Sequence, residues 1–273
     1  AGKREEGQEA MARFQKLRDS AYKSALGSNY LEQGKYAEAL ASTGAEPEAV
    51  DAKTPAVSLA EKDEALPGAS TLVLADLDGD GALDAVSAGR AGLRVLRSEQ
   101  GRLADFTERA GLAGVAARVA VAGDYDNDGL PDLLASGPAG VSLFHNEGGG
   151  RFKAETAPVS AWPHAAATAA FVDIDHDGDL DVFVAAAAPE GPGLLARNNG
   201  DRTFADITAT AQLGGAGGAV AVVPTDFDNR RDVDLFVLKR DRPVLFKNMR
   251  DGSFKDLAAE LGLVATGPFA SAA

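Results

Sequence analysis

The chain has no cysteine, two methionines, one tryptophan and four tyrosines among 273 residues. Without cysteine there is no disulfide, no thiolate nucleophile and no cysteine zinc site, although the compartment stays open. No apolar run approaches the ~20 residues that a membrane-crossing helix needs, so no span is expected. Positive charge is also scarce: 27 basic against 41 acidic residues leave a net charge of −14. That balance disfavours attachment to nucleic acid or to an anionic membrane surface. The opening "AGKREEGQEA" contains no apolar signal-peptide core, as after removal of a leader. Histidine is rare too. His145, His164 and His176 sit in no nucleophile, zinc or acid–base motif, so no enzyme is expected and no catalytic residue is assigned.

What the chain has instead is aspartate in register. "DLDGDGALD" from Asp76 returns as "DYDNDGLPD" from Asp124, "DIDHDGDLD" from Asp173 and, altered, "DFDNRRDVD" from Asp226. The spacings are 48, 49 and 53 residues. An apolar run precedes each copy ("TLVLA", "RVAVAG", "TAAFV", "AVAVVPT") and another follows it ("AVSAG", "LLASG", "VFVAA", "LFVLK"). A third run comes next in every unit ("LRVLRS", "VSLFHN", "GLLARN", "PVLFKN"), then a polar turn and a fourth short element. Short β-branched and apolar runs bounded by glycine or aspartate read as strands. Four strands in ~50 residues is the size of a propeller blade, so the expected fold is mainly β: a propeller of four recognisable four-stranded blades, open to being part of a larger one.

Alternating carboxylates around a glycine suit calcium, which takes six to eight oxygen ligands. In loop one the expected ligands are Asp76, Asp78, Asp80 and Asp84 with the backbone carbonyl of Ala82. Loop two offers Asp124, Asp126, Asp128 and Asp132 with Leu130, and loop three Asp173, Asp175, Asp177 and Asp181 with Asp179. The pattern begins like an EF-hand loop, but Ser87, Ala135 and Val184 stand where that loop needs its twelfth-position glutamate. The flanks are strands, so these are calcium loops within β-hairpins. About three Ca²⁺ ions are expected, which would reduce the formal charge from −14 to −8. In loop four Arg230 replaces the fifth-position aspartate and Arg231 the glycine, and a guanidinium amid carboxylates substitutes for the cation.

The DxDxDGxxD loop with its following "DLLAS" or "DVFVA" strand resembles the FG-GAP/VCBS repeat family of integrin-α-like propellers. "LLARNNGDRTFADITATAQL" and "LFKNMRDGSFKDLAAELGL" look like its cartilage-acidic-protein-like branch. The resemblance covers roughly residues 70 to 273. It implies calcium on propeller blades and a periplasmic, secreted or surface-exposed protein, and it implies no single activity.

Residues 1–45 differ in kind and are expected to form a helical arm, with Leu26, Gly27, Tyr30, Gly34, Tyr36 and Ala39 at the spacing of a partial tetratricopeptide repeat. Residues 46–70 read as a proline-punctuated linker and 71–273 as the propeller repeats. Trp162 and His164 are a candidate ligand-pocket pair, with packing as the other reading. His145 is placed in a turn where the other units have Ser98, Arg197 and Lys247. The expected function is a non-catalytic scaffold or interaction subunit with a protein partner, such as a membrane-associated complex. A carbohydrate-binding or carbohydrate-processing module is the alternative, less favoured because only 6% of residues are aromatic.

Overall fold

The computed structural model describes Leu66 and residues 68–269, apart from 157, 214 and 264–266. The described residues are nearly all strand or turn, as their short β-branched runs require. Sixteen strands form four four-stranded sheets, each an antiparallel meander in chain order. Sheet one holds β1 (Ala69–Ala75), β2 (Asp84–Gly89), β3 (Gly92–Glu99) and β4 (Arg102–Asp105). Sheet two holds β5 (Val119–Gly123), β6 (Asp132–Gly137), β7 (Gly140–Asn146) and β8 (Phe152–Glu155). Sheet three holds β9 (Ala166–Val172), β10 (Asp181–Ala186), β11 (Gly193–Asn198) and β12 (Phe204–Asp206). Sheet four holds β13 (Ala219–Thr225), β14 (Asp234–Lys239), β15 (Pro243–Asn248) and β16 (Phe254–Asp256). The helical content described is one turn at Thr208–Ala211 and a 3-10 turn at Pro158–Ala161.

The second strand of each meander explains its sequence. β2, β6 and β10 are buried along their whole length. In β6 and β10 alternate residues divide between two cores, as a two-residue period demands, and in β2 Val86 and Ala88 join one. In β6, Leu133 and Ala135 join Val86, Val95 and Phe106 of sheet one, while Leu134 turns to Val182, Val184 and Phe204 of sheet three. In β10, Phe183 and Ala185 pack with Leu235, Val237 and Val244 of sheet four. Three apolar cores thus join the four sheets in sequence order, and first strands are neighbours: β1 with β5, β5 with β9, β9 with β13. A glycine is required where the second strand ends. A Cβ on Gly137 would lie 1.9 Å from the Ala116 carbonyl oxygen, because the segment leading into β5 crosses there.

β1 starts at Ala69, two residues inside the segment expected to be the linker. The expected helical arm with its partial tetratricopeptide pattern lies outside the described residues, as does most of that linker. Near the end of the chain, Gly267 N–H donates to the Asp241 carbonyl and Phe269 N–H to Arg240, at the tip of the β14–β15 hairpin.

Candidate metal centre

Each aspartate loop connects the first strand of a meander to the second. Its first residue ties the turn: Asp76 accepts backbone N–H groups from Gly79, Asp80 and Gly81 at 2.9–3.1 Å. Asp124, Asp173 and Asp226 do the same in their own loops. These bonds hold the Asp76 carboxyl below its ordinary range, with the Gly81 bond the largest cause. The sixth residue must be left-handed, with φ of 85°, 91° and 94° at Gly81, Gly129 and Gly178, which glycine adopts without strain. In loop four Arg231 takes that conformation at φ 70°. His176, in the fourth position of loop three, is left-handed at φ 63° and exposed, so it is a turn residue there.

The ninth-position aspartates open the second strands β2, β6, β10 and β14 and are buried. Each uses one oxygen to accept the N–H of the second loop residue and the other to accept an N–H at the end of the third strand. For Asp132 these donors are Tyr125 at 3.1 Å and Asn146 at 2.8 Å. For Asp84 they are Leu77 and Ser98, for Asp181 Ile174 and Asn198, for Asp234 Phe227 and Asn248. Burial still dominates their ionisation. It pushes Asp132 up to about 6 and Asp181 up to about 7, and it raises Asp84 and Asp234 as well.

Positions one, three and nine converge in three loops: Asp76, Asp78 and Asp84; Asp173, Asp175 and Asp181; and Asp226, Asp228 and Asp234. In loop two Asp124, Asp126 and Asp128 form one group and Asp126, Asp132 and His145 another. Asp80 and Asp177 stand outside these groups and accept the N–H of Ala82 and Asp179; Asp128, inside its group, also accepts the N–H of Leu130. The Asp179 side chain accepts a 2.7 Å bond from Asn127, joining loops two and three. Two third-position aspartates keep an oxygen without a partner: Asp126 Oδ1 and Asp228 Oδ1 are buried and accept no hydrogen bond, whereas Asp78 Oδ2 lies against Arg97. Clustered carboxylates, an orphaned buried oxygen and oxygen-only donors fit a hard divalent cation such as Ca²⁺.

Sequence reasoning missed the basic residues on the third strands. By register, Arg97, His145, Arg197 and Lys247 are equivalent, each immediately before the residue that donates to the ninth-position aspartate. The expectation of Ser98 beside His145 was therefore one residue off, and His145 lies in β7 rather than in a turn. Arg97 pairs with Asp78 and Lys247 with Asp228. His145 Nδ1 lies 3.4 Å from Asp126 and 3.1 Å from Asp132. Two further arginines intervene: Arg202 reaches Asp126 from the neighbouring sheet at 2.7 Å, and Arg230 lies 3.3 Å from Asp228. The visible signal was a basic residue at one place in every third run. Trp162 packs on the core between sheets two and three, edge-on to His164 at 5.1 Å, and its carbonyl accepts the Val141 N–H.

Among curated proteins none matches this chain. A lectin of Agrocybe aegerita, described as specifically recognising non-reducing terminal N-acetylglucosamine, is similar in structure at 24% identity and a TM-score of 0.44, over 67% of this chain and 50% of the lectin. The V. cholerae biofilm matrix protein Bap1 is similar at 17% identity and a TM-score of 0.26, over 68% of this chain and 20% of Bap1. The chain therefore spans half or less of either protein's length. The family comparison bears directly on the loops: an FG-GAP-like repeat matches at residues 76–135 and again at 124–184, and the two matches together contain loops one, two and three.

Proposed function

We propose that this chain is a non-catalytic, calcium-stabilised β-propeller acting as an interaction or scaffolding subunit of an extracytoplasmic assembly, periplasmic or surface-exposed, with a protein partner. The observation that carries the reading is a convergence of carboxylates in the loop between the first and second strands of four successive meanders, from positions one, three and nine in three of them. A propeller arrangement is supported by the neighbouring first strands. It is also supported by a cavity of about 710 Å³ that touches the starts of all four, at Ser70, Val119, Ala166 and Ala219. When bound, Ca²⁺ would be held by carboxylates at positions one, three and nine and would supply fixed positive charge that ties the loop to the second strand. The chain's own residues orient that set: backbone donors aim the first and ninth aspartates, and the apolar cores exclude water behind them. Non-catalytic action is supported by the buried carboxylates being engaged by backbone N–H groups and basic side chains.

Calcium calorimetry combined with affinity purification from the native envelope fraction tests this reading. Uptake of about three ions and recovery of a stable protein partner are expected. Absence of calcium uptake, or turnover of a polysaccharide by the purified chain, would overturn it.

One observation favours a glycan-binding alternative: a cavity of about 650 Å³ between sheets three and four, lined by Asp175, Arg197, Asn248, Arg250 and Phe254. It combines hydrogen-bonding groups with an aromatic wall. Specific retention on a glycan array, lost on Arg250→Ala, would favour this reading over the scaffold.

A further inference from the structure

The four loops share their carboxylates and differ in the basic side chains each already holds. In loop one the Arg97 guanidinium lies against Asp78, both side chains being largely buried. In loop two Asp126 faces His145 and Arg202. In loop four Asp228 faces Lys247 and Arg230. Loop three is different. Arg197 occupies the equivalent strand position, but it is exposed and directed toward Asn199 at 3.4 Å. Asp175 has no ion-pair partner among the described residues, and it opens onto the cavity between sheets three and four.

Turns from the following sheet accentuate this contrast. The β11–β12 turn of sheet three extends Arg202 over loop two. The equivalent residue in sheet two is Gly150, whose ideal Cβ would lie 4.0 Å from the Asp78 side chain. In sheet four it is Gly252, which lines the same cavity as Asp175. Among the described residues, no basic side chain therefore makes ion-pair contact with Asp175: Arg197 and Arg250 line the same cavity, but Arg197 acts on Asp175 only from a distance and Arg250 pairs with Asp232.

We infer that the basic residue before the end of each third strand is an intramolecular competitor for the metal, so that loop three is the first site to fill and loops one and two fill only by displacing Arg97 and His145. The inference rests on the calcium reading above and adds an order to it. A buried carboxylate needs a positive partner, and one oxygen pair cannot serve a guanidinium and a divalent ion equally well. A tethered guanidinium or ammonium also repels the metal across a poorly solvated loop, and a tethered side chain of either kind occupies the carboxylate oxygens, so it must move before the ion can enter.

Calcium calorimetry on the full chain and three variants tests the order. Asp175→Asn is expected to remove the tightest class of site. Arg97→Gln is expected to leave that class unchanged and to tighten one weaker site by about tenfold, the scale of one charge-assisted contact. His145→Gln is expected to tighten another, and it decides the matter if Arg97→Gln does not fold. Unchanged or weakened sites in the folded glutamine variants would overturn the inference while leaving calcium binding intact. So would a tightest class that survives Asp175→Asn. No uptake by the parent chain would remove both the inference and the calcium reading beneath it.

Discussion

A single aspartate, the ninth of each loop, links the candidate metal site to the sheet. Asp132 begins β6, accepts the N–H groups of Tyr125 and Asn146, and belongs to a cluster with Asp126 and His145. Replacing it by asparagine sets two effects against each other. The amide would turn an NH₂ toward a backbone donor, at a cost of about 1–3 kcal/mol. It would also remove a buried negative charge that burial already holds up to about 6. With chelator present, Asp132→Asn is therefore expected to unfold within about 1 kcal/mol of the parent in urea. With calcium at a hundred times its dissociation constant the parent gains about 2.7 kcal/mol per site by linkage, and the variant falls behind by much of that amount. A variant equally weakened with and without calcium would show that Asp132 is a structural residue alone. The strand-opening half of that expected role was readable from the sequence, because the last aspartate of each loop directly precedes an apolar run. The tethered cations were not, since pairing across a meander depends on strand register.

Between elements, the third strands carry a staple that joins successive sheets. Asn146 Nδ2 donates to the Leu77 carbonyl of the preceding sheet and to Pro131 of its own, at 2.8 and 3.0 Å. Asn198 repeats this with Tyr125 and Leu180, and Asn248 with Ile174 and Val233. In sheet one the place is held by Ser98, whose backbone N–H alone serves Asp84. Asn198→Ala should lose about 1–3 kcal/mol, the cost of leaving buried carbonyls without a donor, whereas Ser98→Ala should stay within about 0.5 kcal/mol. Equal losses in denaturant titrations would remove the staple from the account. The recurring asparagine was visible in "FHN", "ARN" and "FKN". Its purpose was not, because each acceptor lies about 70 residues upstream in the chain. Loop four invites the converse experiment, because it keeps the convergent Asp226, Asp228 and Asp234 but adds Arg230, Arg231 and Lys247. Combining Arg230→Asp, Arg231→Gly and Lys247→Gln should create one additional calcium site by calorimetry. An unchanged stoichiometry would mean that the loop is unsuited to metal for reasons other than its cations.

Across the whole described unit, the repeat pattern foretold sixteen strands and their meander order because an alternating apolar run needs little tertiary context to be recognised. β1 begins at Ala69, just before the expected start of the repeats at 71, and there Arg90 N–H donates to Gly68 and Ala69 pairs with Gly89. The same scale sets the response to pH. Asp132 and Asp181 ionise near 6 and 7 in the folded chain, against 3.8 for an ordinary aspartate. Between those values the unfolded chain has released protons that the folded chain still holds, so stability falls as pH rises and levels off above about 7. Asp105, held down to about 2 chiefly by its hydrogen bond from Arg94, acts in the opposite sense but below that window. Metal reverses the trend, since Ca²⁺ binds the ionised carboxylates and its stabilisation grows as they lose their protons. In EDTA the chain should therefore resist urea better at pH 5 than at pH 7.5. In millimolar calcium the difference should shrink or change sign, and the melting temperature at pH 7.5 should rise by several degrees. Stability in EDTA that climbs from pH 5 to 7.5 would show that the two buried aspartates are already ionised in the metal-free fold, and the electrostatic case for cation binding would fail with it.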